Sequence, residues 1–174
     1  MKIFLRPITL NDASYIIKWR NSPKVLNHCF NKNIVTLESN RLFYNENVLT
    51  GKYKQYIVER VDDDYGVVSY PIATVYLKDM DYFNNRCELC LFTSDDEEWN
   101  TDSQKLAIRY LLDIAFKQYN MNKVYSYVFC SNMDEVTLFK NAGFSIEAKF
   151  IKEAKGLDGN YNDAYKMVIF KENI

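Results

Sequence analysis

The sequence contains no apolar run approaching the length of a membrane span, only one histidine, four cysteines and no surplus of either charge. Without a span-length run, no transmembrane helix is expected. The opening Met1-Lys2-Ile3-Phe4-Leu5-Arg6-Pro7 is too short and too soon interrupted for a signal peptide, so the expected location is the cytoplasm. A net charge of −1 with no evidently basic face argues against a nucleic-acid partner, which needs clustered Lys and Arg. The four cysteines fit a cytoplasmic chain. Cys87 and Cys90 form a Cys-x-x-Cys, a pattern associated with metal or redox chemistry. However, Cys87-Glu88-Leu89-Cys90-Leu91-Phe92 reads as a strand, and residues three apart on a strand face opposite sides. Buried, unpaired thiols are therefore expected, with no metal site. The chain also lacks repeats, low-complexity tracts and linkers.

What is present can build a core. Hydrophobic residues make up 48% of the 174, aromatics 16% and charged residues 26%, which argues against disorder. One domain over residues 1–174 is expected. Lys2 to Pro7 reads as a strand. Thr9 to Asp12 offers side-chain oxygens to start a helix carrying Ala13, Ile16, Ile17 and Arg20, and Pro23 marks its end. Thr36 caps a second helix that Gly51 closes. Strands follow at 54–61 and 67–78, separated by the turn Asp62-Asp63-Asp64-Tyr65-Gly66; Pro71 in the second predicts a bulge or an edge. After a turn at 79–85 comes the strand Cys87 to Thr93.

The turn Trp99-Asn100-Thr101-Asp102-Ser103-Gln104 contains no glycine. The helix beyond it has a broad apolar face, from Leu106 to Phe116. A strand at 123–129 and a helix from about Asp134 to Ala142 come next, and Gly143 sits where a left-handed cap is needed. The last two strands, near 145–155 and 161–171, flank Leu157-Asp158-Gly159-Asn160, where Asp-Gly is a hairpin signal. A strand-helix-strand unit inside an antiparallel meander predicts a mixed α/β (α+β) architecture. Its twisted sheet has about seven strands, mostly antiparallel, with helices on both faces.

That order, with Asn132 eleven residues before Gly143-Phe144, resembles the acyl-CoA-binding half of GNAT acetyltransferases. Leu5-Arg6-Pro7-Ile8-Thr9, Asp12 and Lys18-Trp19-Arg20-Asn21-Ser22-Pro23 resemble the opening of the ribosomal-protein N-terminal acetyltransferases. They are equally similar to relatives that acetylate nucleotide-linked amino sugars, as in the pseudaminic-acid pathway. Trp19-Arg20-Asn21-Ser22-Pro23, Cys87-Glu88 and Tyr127-Val128-Phe129-Cys130-Ser131-Asn132 make the amino-sugar enzymes the nearer match, and Asp158-Gly159-Asn160-Tyr161-Asn162-Asp163 resembles the hairpin of the same branch, so the likeness covers nearly the whole chain.

The resemblance implies an acetyl-CoA-dependent transfer to a primary amine, by direct attack and without an acyl-enzyme or metal. The acceptor it favours is a nucleotide-linked amino sugar; a protein N-terminus, a polyamine and an aminoglycoside remain open. A binding module on the same scaffold with weakened catalysis also remains open, as does another acyl-CoA donor. The resemblance further implies a dimer through the last strands.

Residue by residue, it implies that the backbone of Leu91, Phe92 and Thr93 pairs with the pantetheine arm, and that the strand splays at a bulge near Phe92. The pyrophosphate would rest on the turn Asn100, Thr101, Asp102, Ser103, Gln104 and the first helical turn with Lys105. In the family, glycines stand at the positions of Asn100, Asp102 and Gln104. Asp102 puts a carboxylate beside the phosphates; two unit charges about 5 Å apart repel by roughly 3 kcal/mol at an effective dielectric of about 20. Lys105 and Arg109 offer compensation. Thr101-x-x-Gln104 is equally a capping box needing no ligand. Asn132 takes the family's place for a cofactor-binding asparagine, and also suits a helix N-cap. Phe139 stands where the family commonly has a tyrosine that protonates the thiolate; it has no proton to give, and Ser131 or Tyr127 could substitute. Glu88 is the candidate base, or else a partner for Arg20 or another buried cation. Trp19, Arg20 and Asn21 would line the acceptor pocket, a ring and a guanidinium suiting uracil and diphosphate, or else pack a helix end. His28, in a loop nearby, is a second candidate base or a surface residue.

Overall fold

The computed structural model describes residues 2–62, 68–92 and 94–173. The turn expected at Asp63-Asp64-Tyr65-Gly66 and the residue Thr93 lie outside the described residues. Alternating apolar and polar residues build seven strands: β1 (Lys2–Pro7), β2 (Lys54–Asp62), β3 (Val68–Asp81), β4 (Arg86–Phe92), β5 (Lys123–Phe129), β6 (Ser145–Lys155) and β7 (Tyr161–Phe170). They form one sheet in the order β1-β2-β3-β4-β5-β7-β6. Neighbours are antiparallel except β4 and β5, which are parallel because a helix crosses between them.

The helices are α1 (Ala13–Asn21), α2 (Pro23–His28), α3 (Leu37–Phe43), α4 (Thr101–Asp113) and α5 (Met133–Asn141). α3 and α4 each run on into a π-helical turn, at Tyr44–Val48 and Ile114–Gln118. On one sheet face Leu77, Cys87, Leu89, Val124 and Val128 pack against Ile108, Leu111 and Phe139 of α4 and α5 in the main core. On the other face Ile57 meets Ile8, Ile16 and Trp19, which seats α1 on the β1–β3 half. The β4–β5 part of that second face is left to the site described below. No helix among the described residues is long and apolar enough to cross a membrane.

Three local expectations can be compared directly. Pro71 lies at a bulge: Val58 pairs with Ala73 and Glu59 with Pro71, leaving Ile72 as the extra residue. Gly143 has φ of 94°, the left-handed conformation that ends α5. Pro23 does more than end a helix. It is the first residue of α2, where its missing N–H costs nothing, and Ser22 caps that helix by accepting from the Val25 N–H.

Candidate active site

The parallel pairing of β4 and β5 is short. It runs Arg86–Lys123, Cys87–Val124 and Glu88–Tyr125 and stops. Beyond Glu88, β4 stays with β3 as far as the Thr74–Phe92 pair, while β5 stays with β7 as far as Phe129–Ala164. The two strands therefore part into a V. One edge of Leu89–Phe92 has no strand partner among the described residues, so an extended ligand with amide groups fits there as an added strand. The opening starts at Glu88, and β4 keeps its register with β3 from Glu88 to Phe92, the last described residue of the strand. The irregularity in this pair lies between Lys78 and Asp81, at the other end.

Glu88 sits at the apex of the V and is 7% exposed. Its Oε2 is 3.1 Å from the Lys78 amino group on β3, and its Oε1 accepts from the Cys90 thiol at 3.1 Å. Burial raises the Glu88 carboxyl above its ordinary range, and the Lys78 charge only partly offsets this. Burial also pushes the Cys90 thiol up, making it a donor rather than a nucleophile. The cation that Glu88 pairs with is thus Lys78 and not Arg20. Cys87 points into the opposite core and Cys90 towards Glu88, as the strand alternation predicts; all four cysteines are free.

Tyrosines surround this carboxylate. Tyr53 and Tyr76 lie 5.4 Å apart, and Tyr125 and Tyr127 meet edge-on at 5.9 Å. A cavity of about 700 Å³ opens beside them, lined by Tyr53, Asp79, Asp81, Tyr82, Arg86 and Tyr125. Lys78 and Tyr125 carry no motif that marks them in the sequence. The alternation at Tyr125-x-Tyr127 was the available signal, but which face it presents depends on register.

The N-terminus of α4 is closed by its own side chains. Asn100 is the N-cap, one residue before the Thr101 expected, and its Oδ1 accepts from the N–H of Asp102 at 3.1 Å and of Ser103 at 3.3 Å. The buried Ser103 hydroxyl donates to the carbonyls of Glu98 and Asn100, and Gln104 Nε2 donates to the Trp99 carbonyl. The expected reciprocal box of Thr101 and Gln104 does not form. Thr101, Asp102, Lys105 and Arg109 are exposed. Asp102, Lys105 and Arg109 line a groove of about 940 Å³ that reaches Ala142 and Gly143 at the end of α5.

Asn132 is the N-cap of α5 and forms a reciprocal pair with Glu135: its Nδ2 donates to Glu135 Oε2 at 2.8 Å, and its Oδ1 accepts from the Glu135 N–H. Burial pushes the Glu135 carboxyl up to about 7. Phe139 is fully buried and meets Phe144 edge-on at 4.9 Å, so it is core. Ser131 is exposed in the turn between β5 and α5.

The expected acceptor residues are differently employed. Trp19 is 1% exposed within the core under α1 and presents no ring face to a ligand. Arg20 donates to the Asn31 carbonyl. Asn21 exchanges two hydrogen bonds of 2.8 Å with Val35. Arg20 and Asn21 thereby hold the segment after α2, whose Phe30 stacks on Phe129 at 4.6 Å. His28 is the last residue of α2, not a loop residue; it is exposed and its Nδ1 meets the Lys24 carbonyl at 2.8 Å.

The acetyltransferase (GNAT) domain profile matches residues 5–165. The chain belongs to the GNAT acetyltransferase family. Among known relatives, the spermidine N(1)-acetyltransferase of Vibrio cholerae is 21% identical over 170 residues, covering 98% of this chain and 94% of that protein. The Escherichia coli spermidine N(1)-acetyltransferase is 23% identical over 170 residues, covering 96% and 85%. The crystal structure of the Vibrio cholerae spermidine N-acetyltransferase in complex with CoA and spermine superposes with a TM-score of 0.87 at 22% identity, over 98% of this chain and 96% of that one. The GNAT fold expected from the sequence is therefore present. The expected leaning towards amino-sugar or ribosomal-protein enzymes finds no support among these relatives, which are named for spermidine.

Proposed function

We propose that this GNAT acetyltransferase moves the acetyl group of acetyl-CoA to a primary amine of a polyamine, by direct attack and without an acyl-enzyme. The observation that carries this is Glu88, a buried carboxylate at the apex of the V and ringed by tyrosines, with Asp79 3.8 Å beyond the Lys78 amino group. Carboxylates and aromatic faces attract ammonium groups. The ring and guanidinium expected to read a nucleotide, Trp19 and Arg20, are committed to the core and to Asn31. The names of the relatives point the same way.

In this reading Glu88 accepts a proton from the acceptor's ammonium, directly or through water. The nitrogen lone pair then attacks the thioester carbonyl carbon, the C–S bond breaks, and the thiolate leaves. The free edge of Leu89–Phe92 suits the pantetheine amides, and Lys105 and Arg109 suit the phosphates. Tyr127, half-buried on the V side of β5, takes the acid role that Phe139 cannot fill. The test is release of CoA thiol with spermidine, spermine, a nucleotide-linked amino sugar and an N-terminal peptide as acceptors. Preference for the polyamines is expected, and preference for either of the others overturns the assignment.

One observation favours a second reading, an interaction module on the same scaffold that no longer holds CoA. The Asn100 carboxamide already accepts the N–H groups on which a pyrophosphate would rest. In that case CoA at millimolar concentration leaves the melting temperature unchanged.

A further inference from the structure

Lys78 stands between two carboxylates. Its amino group is 3.1 Å from Glu88 and 3.8 Å from Asp79, and its side chain is 24% exposed where that of Glu88 is 9%. A primary ammonium therefore already occupies the carboxylate to which the acceptor's own ammonium is drawn. Asp79 lies on the solvent side, with its side chain 59% exposed, and offers Lys78 a second partner within the swing of one side chain. The register makes this arrangement: Lys78 pairs directly with Glu88 across β3 and β4, so the two side chains share a face.

We propose that Lys78 is a competing cation that holds Glu88 in the free protein and yields it to the acceptor's ammonium by turning to Asp79. Lys78 is then a specificity-determining residue. An acceptor that is weakly basic, or that carries a phosphate next to its amine, does not displace it, whereas a strongly cationic amine does. This rests on the reading of Glu88 as the acceptor's carboxylate. The groups facing Glu88 are Lys78 and Asp79 from β3, Cys90 from its own strand, Tyr125 and Tyr127 from β5, and Tyr53 from the segment before β2. Arg86, two residues back on the same face, is held by Asp81 at 3.1 Å, so Lys78 is the cation in contact with Glu88 and the one that competes.

The experiment is calorimetric titration of spermidine into the wild type, Lys78→Met and Lys78→Arg, at a pH where Glu88 is ionised, with melting curves for each protein. Lys78→Met keeps the alkyl stem and removes the charge; spermidine should bind about tenfold tighter, because an opposite charge this close is worth at least one pKa unit. The acid limb of binding should move to higher pH in that variant, since Glu88 loses the charge that favours its ionised form. Lys78→Arg grips Glu88 with a planar fork and should weaken spermidine binding severalfold. Equal affinity in a folded Lys78→Met overturns the proposal, and so does a lowered melting temperature with no gain in affinity. If Lys78→Met does not fold, Lys78→Arg decides alone, and an unchanged affinity there overturns it. Spermidine binding to the wild type with unmoved variants defeats this proposal and leaves the proposed function standing. No polyamine binding at all defeats both.

Discussion

Asn100 Oδ1 lies 3.1 Å from the Asp102 backbone nitrogen and accepts its proton. The residue that caps α4 thus competes with any anion for the same donors. Replacing Asn100 by glycine removes the competitor at little cost, because glycine at an N-cap costs only a few tenths of a kcal/mol relative to asparagine. Asn100→Gly should bind CoA more tightly by calorimetry, and Asp102→Gly should add to the gain by removing a repulsive carboxylate. Unchanged affinity in both would place the pyrophosphate elsewhere.

Glu88→Gln should lower acetyl transfer by about a hundredfold to ten-thousandfold, the usual worth of a positioned base. The wild-type rate should fall as pH drops through the raised pKa of Glu88, since only the ionised form accepts a proton. A pH profile that keeps its acid limb in Glu88→Gln would assign the limb to another group.

Glu135 has a pKa of about 7, above the 4.5 of an unperturbed glutamate, because it is buried. The folded state therefore binds the extra proton between these values, and stability falls as pH rises through that window. Glu135→Gln should raise the melting temperature at pH 8 and leave it nearly unchanged at pH 4. The gain should be about 1–2 kcal/mol, since the side chain keeps some exposure and its bond from Asn132 favours the charged form.

Arg6 joins two buried carboxylates: its Nη2 is 2.7 Å from Asp12 and its Nε 2.8 Å from Glu59. Arg6→Met strands both, and should cost about 3 kcal/mol in urea denaturation at neutral pH. Asp12 is held below the usual carboxylate range by hydrogen bonds from Arg6 and Thr9 that outweigh its burial. Its contribution is present above the unfolded pKa and is lost as pH falls through the folded one. The difference between wild type and variant should therefore shrink in acid.

Phe139→Tyr should not restore a proton donor. The ring lies against Phe144 in the core, so the hydroxyl has no evident partner, and burying one unpaired costs about 1–3 kcal/mol. A rise in acetyl transfer would show that the side chain reaches the V.

The sequence was informative where local chemistry decides. Asn132 as a cap, Gly143 as a left-handed stop, the bulge at Pro71 and the βαβ unit all follow from a few neighbouring residues. It misled where the same chemistry serves two ends: Pro23 both stops one helix and starts the next, and Trp19 is equally good as a platform or as core. The Lys78–Glu88 pair was out of reach, because strand register across a ten-residue separation is fixed by the whole sheet and not by either residue.

The V between β4 and β5 has a mechanical consequence. Only three residue pairs stitch β1–β4 to β5–β7 within the described sheet. The two halves meet at a short seam, and a ligand lying in the V would lengthen it as a removable stitch. Amide exchange at Val124 and Tyr125 should then slow when CoA binds.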